Sequence, residues 1–348
     1  MDMIPSYESM YLTLRGIPTD SIGGEDIYFI HDPQGGWYPN RGNHLYAIDA
    51  LCVNIHDALA NSIFDGLENY HKFLYMAPEF LSTAGLNSES VVSKETFVLF
   101  IDKFKGHTDV NKGLYLFDCC KIVSSIQECS KEVLQLQGEF YYTLNFEPLF
   151  FPNIEEEDGI RYVTSPVVTK LFALLGFIYI RMYSLLDYIT KLAIEIENLK
   201  TQFSSYVKLT SKNSQYGDKK KVSLNNYKGS LFEQCPFINE IESVRNHIIH
   251  DGLLDDMPKA YRVIRNNACI EKYLLFPDQT SEGRFESYKS RNLFYGGDTK
   301  INNRLPEITN QFQERLLLTL GKIFDKLNEK QSWLIVFKVI TMGCRLFS

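Results

Sequence analysis

The chain has 348 residues, enough for one large domain or two of ordinary size. At 45% hydrophobic and 23% charged it has the composition of a folded, soluble protein, and a net charge of −7 excludes nucleic-acid binding over its whole surface while leaving room for a local basic patch. Seven cysteines without a C-x-x-C pair argue against a disulfide framework or a structural zinc site and point to free thiols in a reducing compartment.

The first residues, MDMIPSYESMYL, carry acids where a signal peptide would carry positive charge, so no secretory leader is expected. YLTLRGI and DIYFIHD alternate as strands do, and PQGGWYPNRGN between them and the next element is rich in turn formers. From His44 the apolar spacing becomes three and four, which predicts a helical run through Leu74. Further helices are predicted over Ser93–Lys105 and Gly113–Leu136. The segment Phe150–Pro166, with two prolines and an acidic run, reads as the internal boundary, placed near Asn153–Asp158.

Beyond it Ser165 can cap a long helix with Pro166 in the first turn. Ile178, Met182, Leu185, Ile189, Leu192, Ile196, Leu199 and Phe203 form a seam of a/d spacing. Such a seam packs within one bundle or pairs with a second subunit, and the first is the commoner use. This segment is the most apolar of the chain, but Lys170, Arg181 and Asp187 interrupt it, so a buried helix is expected rather than a membrane span. Ser211–Gly229 is polar and holds Lys219, Lys220 and Lys221. It reads as a solvated loop or as a basic finger for RNA phosphates. A helix over Pro236–His250 comes next, then two strands around Asn266-Asn267 and a closing helix over Leu305–Leu327. The expected domains are 1–155, mostly helical with a few short strands and of unknown role; 160–330, a helical domain; and 331–348, an apolar tail too short to span a membrane. The fold class expected is mainly α.

The helix over Pro236–His250 carries the chemistry. Phe237, Ile241, Val244 and Ile248 define its apolar face, and Asn239, Glu242, Ser243, Asn246 and His250 lie opposite. Cleavage of RNA needs a base for the 2′-hydroxyl or an acid for the leaving oxygen, and a fixed cation on the phosphate. Histidine suits the first task and arginine the second. Arg245 and His250 stand about 140° apart on an ideal helix. They meet if Arg245 reaches round, if the helix end is distorted, or if a second copy of the helix faces the first. A metal reading of His247, His250 and Asp251 lacks further ligands and sets a cation beside the ion, so no metal is expected. No nucleotide or hydrolase fingerprint is present, and no cofactor is expected.

RNHIIH, Arg245–His250, resembles the R-x-x-x-x-H signature of the HEPN superfamily, in which a polar residue, here Asn246, follows the arginine. The resemblance covers roughly residues 165–328 and implies an all-helical bundle with the motif on a late helix. Many members are metal-independent ribonucleases that act as dimers; others are toxins with an antitoxin partner or parts of antiphage systems. It implies that Arg245 binds the phosphate, that His250 is the general base or acid, and that Asn246 positions them. Glu242, which could hold Arg245 by an i, i+3 pair, and His247, expected at the surface, stand as supporting residues. In the branch whose toxin is modified by its antitoxin, a tyrosine stands two positions after the histidine; here Gly252 takes that place. The expected protein is a cytoplasmic, homodimeric endoribonuclease acting on RNA, in defence or toxicity. The alternative is a non-catalytic interaction protein that uses the same helix as a dimer or partner surface.

Overall fold

A computed structural model describes residues 10–23, 26–33, 36–150 and 156–345, with side chains described as far as residue 329. The alternating N-terminal stretches form β1 (Leu12–Thr13), β2 (Tyr28–Asp32) and β3 (Gly36–Pro39), an antiparallel sheet in that order. The helical run after His44 is two helices, α1 (Leu45–Phe64) and α2 (Leu67–Met76). It breaks at Asp65 and Gly66, whose φ values of 57° and 134° no helix continues through. Helix α3 (Lys94–Phe104) begins where Ser93 accepts the Thr96 N–H at 3.2 Å. Helix α4 (Thr108–Phe146) outruns the predicted Gly113–Leu136 at both ends.

Strand β4 (Gly159–Val163) precedes α5 (Pro166–Glu197), whose first turn is capped by Ser165 Oγ accepting from Val168 N–H at 3.3 Å. Helix α6 (Pro236–Asn246) carries the motif. Strands β5 (Ala260–Arg265) and β6 (Ala268–Tyr273) make the expected hairpin, with Asn266 and Asn267 both at positive φ as a tight hairpin turn requires. Helix α7 (Ile301–Arg345) closes the described chain and runs on through most of the tail expected at 331–348, of which 346–348 lie outside the described residues.

The fold class is corrected. The chain is mixed, 54% helical and 12% strand, with two three-stranded antiparallel sheets, not a helical bundle with a few strands at one end. The second sheet, in the order β4-β5-β6, lies in the region expected to be all-helical. Its cause is long-range. Gly159–Val163 falls in the expected boundary segment, but it pairs Gly159 with Ile264 and Val163 with Ala260. A five-residue strand whose partner lies a hundred residues away leaves almost no local signature.

The chain divides into two compact units, each assembled from three separated segments. One comprises Met1–Leu45, Cys129–Leu185 and Glu233–Arg315; the other Tyr46–Glu128, Leu186–Phe232 and Leu316–Ser348. Three of the five divisions fall inside α4, α5 and α7, one at the first residue of α1 and one just before α6, so each unit is discontinuous along the chain rather than one sequential stretch. Of the boundary expected at Asn153–Asp158, residues 151–155 lie outside the described ones, and residues 156–158 lead into β4. Six of the eight seam residues, Ile178, Met182, Leu185, Ile189, Leu192 and Ile196, are on α5 and buried inside the chain, whereas Leu199 and Phe203 lie beyond the end of the helix and only Phe203 is buried. Helix α5 is long and apolar enough to cross a membrane by length and composition, and 44% of its most apolar window is buried within the chain.

In the second unit Ser211–Gly229 is not a bare loop. A short turn of helix at Tyr216–Lys221 buries Tyr216, and Val222 is buried beside it. His56, on α1 of the same unit, is half-buried, and burial holds its imidazole below the ordinary value. This matches a structural histidine. No disulfide joins the described cysteines.

Candidate active site

Helix α6 starts at Cys235 in extended conformation, with Pro236 at the first helical position, where its missing N–H leaves nothing unsatisfied. Its buried positions are Ile238, Glu240, Ile241 and Val244, so the inward face is rotated from the one the apolar spacing predicted. Phe237 and Ile248 are only half-buried. The rotation follows from Glu240, which turns inward because partners await it. Tyr179 OH donates to Oε1 at 2.8 Å, and Arg304 pairs with Oε2 at 2.9 Å. A carboxylate only 6% exposed, held by a phenol on α5 and a guanidinium on α7, fixes the motif helix in rotation and height. Glu240→Ala is therefore expected to lower unfolding stability by about 2–4 kcal/mol, read from the urea midpoint, because it leaves a buried hydroxyl and a half-buried cation without their acceptor. Glu240→Gln, which keeps one acceptor oxygen and the side chain's volume, should lose less.

The α-helix ends at Asn246, and residues His247–Asp251 continue it as one π-turn. Gly252 N–H donates to the His247 carbonyl at 3.1 Å, an i→i+5 bond, and Gly252 ends the turn at φ 134° and ψ −154°. A backbone of that kind accepts glycine and little else. The wider turn has a direct consequence for the motif. Residues five apart diverge on an ideal α-helix but return to one side when the ladder is i→i+5. Arg245 Nη1 accordingly stands 3.4 Å from His250 Nε2 within the same chain. A guanidinium can only donate, so Nε2 is the acceptor and the ring hydrogen sits on Nδ1.

Arg245 is held in place on two further sides. Its Nη1 donates to Asn246 Oδ1 at 2.9 Å, and its guanidinium carbon lies 4.5 Å from the centre of the Tyr183 ring on α5. Among the described residues no carboxylate pairs with it. Asn246 and His250 are exposed and Arg245 is partly so. The site is thus a solvent-facing cation, an amide and an imidazole nitrogen that accepts from that cation.

Glu242 does not make the i, i+3 pair with Arg245 that its position allows. It lines a polar cavity of about 410 Å³ on the Asn246 side of the helix instead. His247 is corrected more strongly. It is 6% exposed rather than at the surface. Nε2 donates to the Leu253 carbonyl at 2.9 Å, Nδ1 accepts from Asn292 Nδ2 at 3.2 Å, and Phe285 meets the ring edge-on. With both nitrogens engaged, His247 is a peg that ties the π-turn to the chain beyond it and is not available to share a ligand with His250. Among the described residues no group of three or more His, Cys, Asp or Glu is placed to hold a metal ion.

Lys219, Lys220 and Lys221 belong to the other compact unit. Lys219 lies over the Tyr216 ring at 4.0 Å and bonds its hydroxyl, Lys221 pairs with Asp218 at 2.7 Å, and Lys220 is exposed. Two of the three cations are thus engaged locally.

Tyr183, Glu240, Arg304 and Asn292 all shape the site and were missed in the sequence. None carries a local signal. A tyrosine on a long apolar helix and a glutamate on a polar-looking face are ordinary until the partner element is in place. Compared with family models, curated proteins and solved structures, the chain has no match among any of them.

Proposed function

We propose that the chain is a metal-independent endoribonuclease of HEPN type, with Arg245 and His250 as its working pair. The observation that carries this reading is their contact at 3.4 Å across the π-turn, open to solvent, with Arg245 unpaired by any described carboxylate. A cation with no carboxylate partner, in reach of an imidazole, matches what RNA transesterification requires. Arg245 turns from His250 Nε2 to the phosphate, and the freed Nε2 takes the proton of a 2′-hydroxyl. The 2′-oxygen forms a bond to phosphorus, the bond to the 5′-oxygen breaks, and that oxygen takes a proton from water. Arg245 donates to the phosphate oxygens as their charge grows, and Asn246 keeps the guanidinium in plane. The products carry a 2′,3′-cyclic phosphate and a 5′-hydroxyl. The reading includes a cytoplasmic setting, inferred from the cysteine pattern and the lack of a leader-like start, and service in antiphage defence or as a toxin with an antitoxin partner, which the family resemblance implies. Modification two positions after the histidine is not part of it, since Gly252 has no hydroxyl.

The test is incubation of single-stranded RNA with the purified protein in EDTA. Cleavage is expected to persist at its full rate and to leave cyclic phosphate ends. Loss in EDTA with recovery on adding zinc or manganese would overturn the metal-free mechanism.

The homodimer is retained with a different contact. The seam on α5 is unavailable, being buried. Phe177, Ile248 and Leu253 line an apolar cleft of about 480 Å³ on the other flank of the motif, and Phe177, Ile249 and Leu253 are exposed. A second copy on this cleft would cover that apolar surface. Leu253→Asp is expected to shift the protein to monomer in sedimentation velocity. An unshifted dimer would exclude this contact.

A further inference from the structure

The polar cavity beside Asn246 is not used by the proposed cleavage chemistry, yet it shares a wall with it. One side is α6, through Glu242 and Asn246; the other is the loop that carries Arg284 and Asn292; Asp251 stands at the end of the π-turn. Its volume of about 410 Å³ falls within the ~300–1,000 Å³ of ordinary small-ligand sites.

Several of its polar groups are already committed to the protein. Asn239 donates to the Glu282 carbonyl, Ser243 accepts from Phe285 N–H, and Asn292 bonds His247. Others are not. No described hydrogen bond or ion pair occupies the side chain of Glu242 or Arg284. Asp251 has only a 3.7 Å approach to His247 Nδ1. Two carboxylates and a guanidinium therefore line one cavity without neutralising each other. A ligand that satisfies them must present hydrogen-bond donors on one edge and acceptors on another.

We infer that this cavity receives an unpaired base next to the cleaved phosphate and selects guanine. The inference rests on the nuclease reading for its place in the substrate, but the base chemistry stands on the cavity. Guanine carries two acceptors, O6 and N7, side by side on one edge, and arginine meets that pair with both its arms. Its amino group, and the ring N–H beside it, lie at the other end of the base and donate to a carboxylate. Adenine places a donor beside N7 where Arg284 needs an acceptor, and the smaller cytosine and uracil lack the paired acceptors. Asn246 joins the two sites, since it lines the cavity and accepts from Arg245. The base must leave its helix to enter, so the substrate is single-stranded RNA, a loop or a bulge.

Two measurements on the full chain separate this inference from the nuclease reading. The first is calorimetric titration with guanosine, inosine, adenosine, cytidine and uridine, which involves no phosphate and no cleavage. Guanosine is expected to bind at least about ten-fold more tightly than adenosine, cytidine or uridine, as one good bidentate contact provides, and more tightly than inosine. Inosine, which lacks only the amino group, reports the carboxylate contact. Glu242→Gln with Asp251→Asn should bring guanosine down to inosine, and Arg284→Ala should remove the preference over adenosine. The second is mapping of cuts in a mixed-sequence single-stranded RNA, where guanine should be enriched at one position beside the cut. Guanosine selectivity in a protein that cuts no RNA would support the cavity and sink the nuclease. Cleavage without base bias, or with a bias that survives these substitutions, would overturn the cavity inference and leave the nuclease standing.

Discussion

Alanine in place of Arg245 or of His250 will lower RNA cleavage by about 10²–10⁴-fold, the ordinary weight of a phosphate-stabilising cation or a general base. Mixing the two variants will not bring the activity back. Two sites built across a dimer axis would behave otherwise: an Arg245→Ala chain and a His250→Ala chain would together restore one whole site in each mixed dimer. The proposed site needs no second chain, because Nη1 and Nε2 stand 3.4 Å apart on one chain. Each variant therefore carries a broken site whichever partner it has. Recovery in the mixture would place the pair on different chains and refute the arrangement. Both side chains are exposed or partly so, and melting temperatures should stay near that of the unaltered protein, which separates lost chemistry from lost folding.

The largest effect on stability is expected at Gly283. It adopts φ +80°, and a methyl group there would meet the Pro236 carbonyl oxygen at 1.9 Å and its carbon at 2.7 Å. That contact is backbone against backbone at the first turn of α6, so no side chain can swing away. Strain at positive φ and displacement of the turn together amount to about 3–5 kcal/mol for Gly283→Ala, seen as a lower urea midpoint. Gly321, within α7, is the control. A methyl group there meets nothing within 4 Å, and Gly321→Ala should raise stability by about 0.5–1 kcal/mol through helix propensity. The loop held by Gly283 also carries Arg284 and Phe285, so a partly folded variant should lose guanosine binding before it loses helix content.

Parts of the fold were legible from short-range pattern. Ser93 and Ser165 mark helix starts and do cap α3 and α5. Asn266-Asn267 mark the hairpin, because few residues other than glycine accept two positive φ values in succession. The a/d spacing on α5 marked a buried seam, and its common use inside one chain is the one observed. Strand β4 was not legible, since a strand is stabilised by its neighbour and the neighbour here is β5. The interleaving of the two compact units escaped for the same reason: each unit gathers its core from three stretches of chain.

At the motif the division is sharper. The residue types in R-N-x-x-x-H were sufficient by themselves to nominate Arg245, Asn246 and His250, because the chemistry of a permanent cation and an imidazole does not depend on context. Whether the two could act together depended on the helix end. An ideal helix sets them about 140° apart, and only the π-turn, pegged by buried His247 to Leu253 and Asn292 and ended by Gly252, brings them into contact. Glu240 shows the same limit from the other side. Its inward turn was invisible because the energy that permits it comes from Tyr179 and Arg304, which lie 61 and 64 residues away. Local sequence determined which groups are present and where most helices and turns start, since caps, turns and periodic faces act over a few residues. Tertiary structure alone decided which of those groups meet, since burial and pairing draw their free energy from partners far along the chain.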